Sequence, residues 1–291
     1  MSIQRVSSKW DKTKVILNHP KLAPYIPDTR LYSPDHLKEM IEMYDTVYIK
    51  PDCGTFGHGV MRAEKERNPL LHVSPPVSIP PNYSYSLRYG VQKEEYSTLE
   101  ELHQAISTHI KSKVYLVQQG IQLLRYQDRS FDLRVLTQKN LRNEWESTGF
   151  IGRVAAHGKV ITNYHSGGAI GEFHTLLSAH TDVMTQARLK RKLGVLGEKI
   201  AEQLEQAYPR IKEIGLDVAL DQQLHPWILE VNTLPCLYVF GKLSDKEPYR
   251  RIRKYAIAYG RITSSGSGRK KGTTNRSSRK TAPVTWKRQQ A

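Results

Sequence analysis

The segment 215–232 limits the possible folds of this chain most strongly, because it reads as two short strands joined by a polar turn. Side chains alternate between the two faces of a strand. The alternation predicts two polar faces, one carrying Asp217, Ala219 and Asp221 and the other carrying Ile228, Glu230 and Asn232. A hairpin that turns at Gln223 and Leu224 then places Asp217 directly opposite Glu230.

Two carboxylates that face each other across a hairpin repel unless a cation lies between them. Mg²⁺ prefers such hard oxygen ligands and keeps further positions for water and phosphate oxygens. The alternative is a solvated polar face behind which Trp227, Leu229 and Val231 form the buried face. The segment alone does not decide between these two interpretations.

Helices and strands are mixed along the remaining chain. Ser33 and Thr98 each predict the N-cap of a helix, and apolar spacing predicts further helices over about 184–207 and 246–258. Strands are predicted over 114–118, 131–138, 146–156, 214–220 and 227–232, and a loop over 163–182. The mixture indicates an α+β or α/β fold.

Composition narrows the class of protein further. The 291 residues are 38% hydrophobic, enough for one large domain or two modest ones. No apolar run approaches the roughly 20 residues that cross a bilayer, and the polar N-terminal residues predict no signal peptide. The two cysteines, Cys53 and Cys236, are far apart, which argues against a disulfide framework or a zinc site and favours a cytoplasmic location.

Positive charge is concentrated at the C-terminal end. Residues 261–291 hold nine Lys and Arg and no acid, which leaves +7 of the net +16 for the remaining chain. That remaining excess suits a polyphosphate ligand. Because 261–291 has few apolar side chains, we expect a disordered basic tail that contacts an anionic partner. A solubilising tail without a partner is the alternative.

A glycine-rich segment, residues 54–59, follows a β-rich run that ends at Lys50. Glycines let backbone N–H groups approach phosphates, and a nearby lysine neutralises them. The segment is not a Walker A motif, because no Gly-Lys-Ser/Thr follows, and it does not open a helix as a dinucleotide fingerprint does. A glycine-rich hairpin without a ligand is the alternative.

Two arginines lie on predicted strands among apolar residues. Arg134 and Arg153 have the fork geometry that binds phosphate through two hydrogen bonds. Ion pairs with acids such as Asp132 are the alternative role for both side chains.

The order of these segments resembles the ATP-grasp superfamily. It runs VYIKP, GTFGHGV, YLVQQGI, FDLRV, IGRVA, NYHSGGA, GLDVALD and LEVNTLP, over about residues 8–258. The lead-in Ser8-Lys9-Trp10 and the phrase Ile26-Pro27-Asp28-Thr29 are similar to the YheC/YheD group of endospore coat-associated proteins. The resemblance implies an α+β fold in which two α+β subdomains grip ATP.

The same resemblance implies a division of the chain. It consists of a lead-in over 1–14, a first subdomain with a glycine-rich flap over 15–115, a second subdomain with a metal site over 116–260, and the tail over 261–291.

The resemblance also implies roles at matched positions. ATP would contact Lys9, Lys50, Gly54, Thr55, Gly57, Gly59, Gln118, Gln119, Ile121 and Asp132. One or two Mg²⁺ ions, with Mn²⁺ as a substitute, would bind Asp217, Glu230 and Asn232. The phosphate and acyl-transfer region would contain Arg134, Arg153 and Asn163.

The implied activity is that of an ATP-dependent carboxylate–amine ligase that works through an acyl phosphate, with a location in the cytoplasm or at the spore coat. The carboxylate and the nucleophile are not specified by the sequence. A nucleotide-binding coat or scaffold protein with little turnover is the first alternative. A nucleic-acid binder, based on the basic tail, is the second.

Truncation after Ile262 is expected to leave ATP binding unchanged, because the tail is separable from the predicted site. Retention on an anionic matrix should fall and depend less on salt, since exposed charge and counterion release drive that retention. Calorimetry with ATP and elution from a cation exchanger measure the two effects. Loss of ATP binding would show that the fold extends beyond residue 262.

Overall fold

The computed structural model describes residues 3–55, 57–67, 83–156 and 168–263. Two antiparallel sheets with flanking helices form the fold. The first sheet contains β1 (Thr29–Leu31), β2 (Thr46–Pro51), β3 (Met61–Arg67), β4 (Tyr83–Tyr89), β5 (Gln92–Tyr96) and β6 (Tyr115–Gln119). The second contains β7 (Arg125–Tyr126), β8 (Arg129–Lys139), β9 (Trp145–Val154), β10 (Ala169–Gly171), β11 (Glu213–Leu220) and β12 (Pro226–Asn232).

The helices are α1 (Lys9–Leu17), α2 (Pro34–Tyr44), α3 (Leu99–Ile110), α4 (Phe173–Leu177), α5 (Val183–Ala207) and α6 (Glu247–Ala258). Short 3₁₀ helices lie at Ala23–Tyr25 and Tyr238–Lys242. The strand orders are β1-β6-β2-β3-β4-β5 and β10-β9-β8-β11-β12, with β7 paired to β8. This arrangement confirms the predicted α+β fold.

Helices α2 and α3 bury their apolar faces on the first sheet. Each begins at a predicted N-cap: Ser33 Oγ accepts from His36 N at 3.1 Å, and Thr98 Oγ1 accepts from Glu101 N at 3.2 Å. The Glu101 carboxylate accepts in return from Thr98 N at 3.2 Å, which completes the capping box.

The second sheet packs against helices on one face over its full length. Helix α5, with α1 and α4 beside it, covers Phe131, Leu133 and Val135 of β8. Gly197 allows α5 to approach closely, because a Cβ there would lie 2.5 Å from Thr137 Oγ1. This layer is the largest apolar core of the described residues.

The opposite face of the second sheet is covered over only part of its area. Helix α6 and the 3₁₀ helix Tyr238–Lys242 bury Leu136 and Ile151 beneath Phe240 and Ile252. The uncovered part lines a large cleft and carries charged side chains from β8, β9, β11 and β12. The polar part of this face is therefore available to form a site.

The structure corrects one predicted loop. The described part of 163–182 contains β10 and the helix α4, whose Phe173, Leu176 and Leu177 are buried. A five-residue helix is too short for a 3.6-residue apolar period to be visible in the sequence.

The predicted division at residues 14, 115 and 260 remains a prediction. Helix α1 begins at Lys9, inside the predicted lead-in, and β6 pairs with β1 and β2 of the first sheet. Residues 264–291, most of the predicted tail, lie outside the described residues. None of the described helices has both the length and the apolarity needed to cross a membrane.

Replacing Phe240 by Ala should lower the free energy of unfolding by about 3–5 kcal/mol, because a large side chain with no exposed surface leaves a cavity between α6 and the second sheet. Tyr238→Ala in the same 3₁₀ helix is the matched control. Tyr238 is 74% exposed, so the change should stay within about 0.5 kcal/mol. Denaturant titration measures both, and equal losses would contradict the packing described here.

Candidate functional site

The hairpin of β11 and β12 has the predicted pairing at its open end. Asp217 pairs with Glu230 and Gly215 pairs with Asn232. Nearer the turn the pairing is shifted by one residue, with Val218 opposite Ile228. The centre of the turn thus lies half a residue closer to the N-terminus than predicted. An extra residue in β12, a β-bulge, restores the predicted pairing at Asp217.

The bulge changes which residues share a face. Leu229 is the additional residue of β12, so Ile228 packs with Val218 into the core under α5, while Leu229 lines the cleft beside Glu230. The prediction that Ile228 shares a face with Glu230, and that Leu229 belongs to the buried face, is therefore wrong. Simple alternation fails wherever a strand contains an extra residue.

Asp217 lies between two buried guanidinium groups. Arg134, its direct partner on β8, donates from Nε to Asp217 Oδ1 at 2.5 Å. Arg153 Nη2 lies 3.1 Å from Asp217 Oδ2 and also donates to Asp132 Oδ2 at 2.5 Å. Arg153 Nε donates to Asp132 Oδ1 at 2.7 Å, which makes that pair bidentate. The two predicted arginines thus form ion pairs within the candidate site.

The charges in this network stabilise one another. Burial by itself would raise the pKa of Asp217, but the adjacent Arg134 and Arg153 outweigh burial and lower it. Burial likewise opposes the charge of Arg153, yet Asp132 and Asp217 raise its pKa. Both groups are therefore ionised at neutral pH.

Lys50 reaches the cleft from the end of β2 in the first sheet. Its Nζ donates to Gln118 Oε1 at 2.5 Å, and Gln118 Nε2 donates to Thr29 Oγ1 at 2.9 Å. Burial lowers the pKa of Lys50 to about 8, against the raising effect of Glu230. Lys50 is thus mostly protonated at neutral pH.

Lys9 lies at the base of the glycine-rich segment. Its Nζ donates to Pro51 O at 3.0 Å and to Gly54 O at 3.3 Å, and it lies 3.9 Å from Glu230 Oε1. Lys12, three residues on, is buried and donates to Val6 O at 2.8 Å. Lys9 lines the large cleft and Lys12 does not.

The glycine-rich segment is the connection between β2 and β3. Gly57 and Gly59 have φ values of 74° and 77°, which favour glycine. A Cβ on Gly59 would also lie 2.8 Å from Tyr115 Oη. Gly54, Thr55 and Gly57 line the cleft, whereas Gly59 does not line it and instead allows the backbone to turn close to Tyr115.

Most of the predicted site residues line one cleft of about 1270 Å³. It is larger than most small-molecule pockets, which occupy roughly 300–1,000 Å³. The predicted residues on its wall are Lys9, Lys50, Gly54, Thr55, Gly57, Gln119, Ile121, Asp132, Arg134, Arg153, Asp217, Glu230 and Asn232. Gln118 lines a small adjoining pocket instead, and Asn163 lies outside the described residues.

Several residues on the wall of the cleft were not predicted from the sequence. They are Arg5, Tyr48, Leu123, Leu229, Leu234, Pro235, Cys236, Tyr238, Tyr249 and Arg253, among others. Tyr48 alternates with Lys50 on β2, so strand alternation could have identified it. No local pattern indicates the residues after Asn232, because α6 and the 3₁₀ helix bring them to the cleft through long-range packing.

The oxygen donors fit a hard divalent cation that retains other ligands. Glu230 keeps a quarter of its side chain exposed, at 26%, and Asn232 Nδ2 lies 3.5 Å from Asp217 Oδ2. Within the described ranges, no three His, Cys, Asp or Glu side chains form a complete metal cluster. Mg²⁺ commonly binds through one or two carboxylates together with phosphates and water. Asp217 and Glu230 suit that mode of binding.

Asp217→Asn should lower the free energy of unfolding by about 3–5 kcal/mol at pH 7, because it leaves two buried guanidiniums without this carboxylate. The lowered pKa of Asp217 means that its contribution is present above the unfolded pKa and is lost as the pH falls through the folded one. The difference from the wild type should therefore shrink below about pH 4.

Asp11→Asn is the control, since Asp11 and Lys14 form an exposed pair worth about 1 kcal/mol or less. Urea titrations at several pH values measure both variants. A loss at Asp217 no larger than that at Asp11 would contradict the buried network.

Two known proteins are similar to this chain in sequence. Over 257 residues the chain is 24% identical to the endospore coat-associated protein YheD of Bacillus subtilis (strain 168), covering 86% of this chain and 53% of the relative. It is 23% identical over 234 residues to the endospore coat-associated protein YheC of the same organism, covering 78% of this chain and 59% of the relative. The chain thus spans little more than half the length of these relatives.

A family model agrees with these two relatives. The model described as YheC/D like ATP-grasp matches residues 3–262, which include both sheets and all the described residues of the cleft but one. The match confirms the resemblance in the order of sequence segments. The chain therefore belongs to the YheC/D-like ATP-grasp family.

Proposed function

We propose that this protein binds ATP and Mg²⁺ in the cleft and uses them as a carboxylate–amine ligase. The observation that carries the proposal is that four cationic side chains line the same cleft as the Asp217–Glu230 pair. The cations are Lys9, Lys50, Arg134 and Arg153. Family membership supports nucleotide binding in the same cleft.

The cationic side chains supply the charge that phosphoryl transfer requires. Lys50 approaches the cleft from the first sheet, and Arg134 and Arg153 approach it from the second. Fixed cations on two walls stabilise the negative charge that develops on a transferring phosphoryl group. The arginines are already oriented by Asp217 and Asp132, so their placement requires little reorganisation.

Asp217, Glu230 and Asn232 would hold the metal ion. Mg²⁺ held there would neutralise phosphate charge and help to orient the phosphoryl group. Gly54, Thr55 and Gly57 would cover the phosphates with backbone N–H groups. Gln119 and Ile121 would border the adenine, although the Gln119 N–H already donates to Asp28 O at 2.8 Å.

The proposed reaction transfers phosphate from ATP to a carboxylate, and an amine or a similar nucleophile then displaces phosphate from the acyl phosphate. No protein nucleophile is required. The alternative is a nucleotide-binding coat or scaffold protein with little turnover, which the names of the relatives favour because both are endospore coat-associated proteins. We extend that association with the spore coat to this chain in both versions.

Product analysis separates the two versions. The protein is incubated with ATP, Mg²⁺ and pools of amino acids and short peptides, and phosphate release and mass-shifted products are followed. If the protein is a ligase, one pool should give both phosphate release and a mass-shifted product. Without ATP, the same pool should give neither. ATP binding with neither signal across all pools would favour the scaffold.

Glu230→Gln should retain the fold and weaken binding of ATP in the presence of Mg²⁺ by about tenfold or more, since it removes a charged oxygen ligand. Binding of ATP without Mg²⁺ should change little. Glu247→Gln makes the same change at an exposed site with a side chain that is 72% accessible and serves as the control. Calorimetry with and without Mg²⁺ measures both, and an equal change in the two conditions would contradict a metal role for Glu230.

A further inference from the structure

Asp52 receives hydrogen bonds from three consecutive residues at the start of α1. Its Oδ1 accepts from Trp10 N at 2.7 Å and from Ser8 Oγ at 3.0 Å, and its backbone O accepts from Lys9 N at 3.0 Å. An ionised carboxylate is a strong acceptor for the free N–H groups of a helix N-terminus. Asp52 thus attaches the start of α1 to the end of β2 in the first sheet.

Asp52 also belongs to the base of the glycine-rich segment. It follows β2 directly and precedes Gly54 by two residues. Its own N–H donates to Val114 O at 2.9 Å, which fixes it to the chain that enters β6. Helix α1, in contrast, packs on α5 and β12 of the second sheet. Asp52 therefore joins the base of the glycine-rich segment to a helix that packs on the second sheet.

Lys9 extends this connection to the carboxylates. Its backbone N–H is held by Asp52, and its Nζ lies among the carbonyls of Pro51 and Gly54, 3.9 Å from Glu230 Oε1. A displacement of α1 from Asp52 would move this ammonium relative to both the glycine-rich segment and Glu230. The position of Lys9 in the cleft consequently depends on Asp52.

We propose that Asp52 is a positioning residue of the nucleotide site, which holds Lys9 and the glycine-rich segment in one fixed arrangement. The inference rests on the proposed function, because nucleotide affinity is one of its measurements. A role limited to helix stability is the alternative, and Ser8 already fills that role by accepting from Asp11 N at 3.0 Å. A cap changes stability alone, whereas a positioning residue also changes affinity.

Two variants with similar size or charge separate these roles. Asp52→Asn keeps an oxygen at Oδ1 for Trp10 N and Ser8 Oγ, so Mg²⁺-dependent ATP affinity should stay within about twofold of the wild type. Asp52→Glu keeps the charge but displaces the carboxylate by one methylene, so the affinity should fall about tenfold, the equivalent of losing one good hydrogen bond.

Asp182→Glu is the matched control. Asp182 accepts from Thr185 N at 2.9 Å as the N-cap of α5, and it does not line the cleft. This variant should lose stability with unchanged ATP affinity. An Asp52→Glu variant that binds ATP like the wild type would overturn the inference, as would an Asp52→Asn variant that loses as much affinity as Asp52→Glu.

Amide exchange without nucleotide tests the arrangement independently. The N–H groups of Lys9 and Trp10 should exchange faster in Asp52→Glu than in Asp52→Asn or the wild type. Equal exchange rates in all three proteins would overturn the inference. Faster exchange in Asp52→Glu, combined with a wild type that binds no ATP, would separate the two proposals. That result would contradict the proposed function but would still show that Asp52 attaches α1.

Discussion

The buried pairing of Asp217 with Arg134 and Arg153 is the interaction on which the candidate site depends. An isolated charge on the inner face of a sheet would be strongly destabilising, whereas opposite charges in contact with good geometry can be tolerated there. Asp132 completes the set by binding Arg153 through two hydrogen bonds. The second sheet can therefore present charged groups inside a cleft without losing its packing on the other face.

The face of the second sheet that lines the cleft is charged at one end of β8 and apolar at the other, and each part has its own role. Asp132 and Arg134 lie at the cleft, while Leu136 on the same face is covered by α6 and the 3₁₀ helix. The apolar part anchors the C-terminal helix, and the charged part faces the first sheet. Lys50 and the glycine-rich segment then approach from the first sheet, so the site needs both sheets to be complete.

Long periodic patterns of apolar residues were sufficient to predict much of this fold from the sequence. The helix expected over about 184–207 is Val183–Ala207, because 25 residues repeat the apolar spacing many times. Strand alternation and a polar turn predicted the pairing of Asp217 with Glu230, which the structure reaches through a shifted turn and a bulge. The bulge at Leu229 could not be read in this way, because an extra residue leaves no mark in the composition of a strand.

Contacts between distant segments were equally invisible in the sequence. Lys9 donates to the carbonyls of Pro51 and Gly54, and Lys50 donates to Gln118. Each of these hydrogen bonds joins residues that are at least 42 positions apart in the sequence.

The bulge at Leu229 also determines how this hairpin tolerates a change in the length of β12. Deleting one residue from β12 between Pro226 and Leu229 would be absorbed as a regular strand, with Glu230 still opposite Asp217. Inserting one there would require a second bulge or turn Glu230 toward the core under α5, so the hairpin can accept a shorter β12 more readily than a longer one.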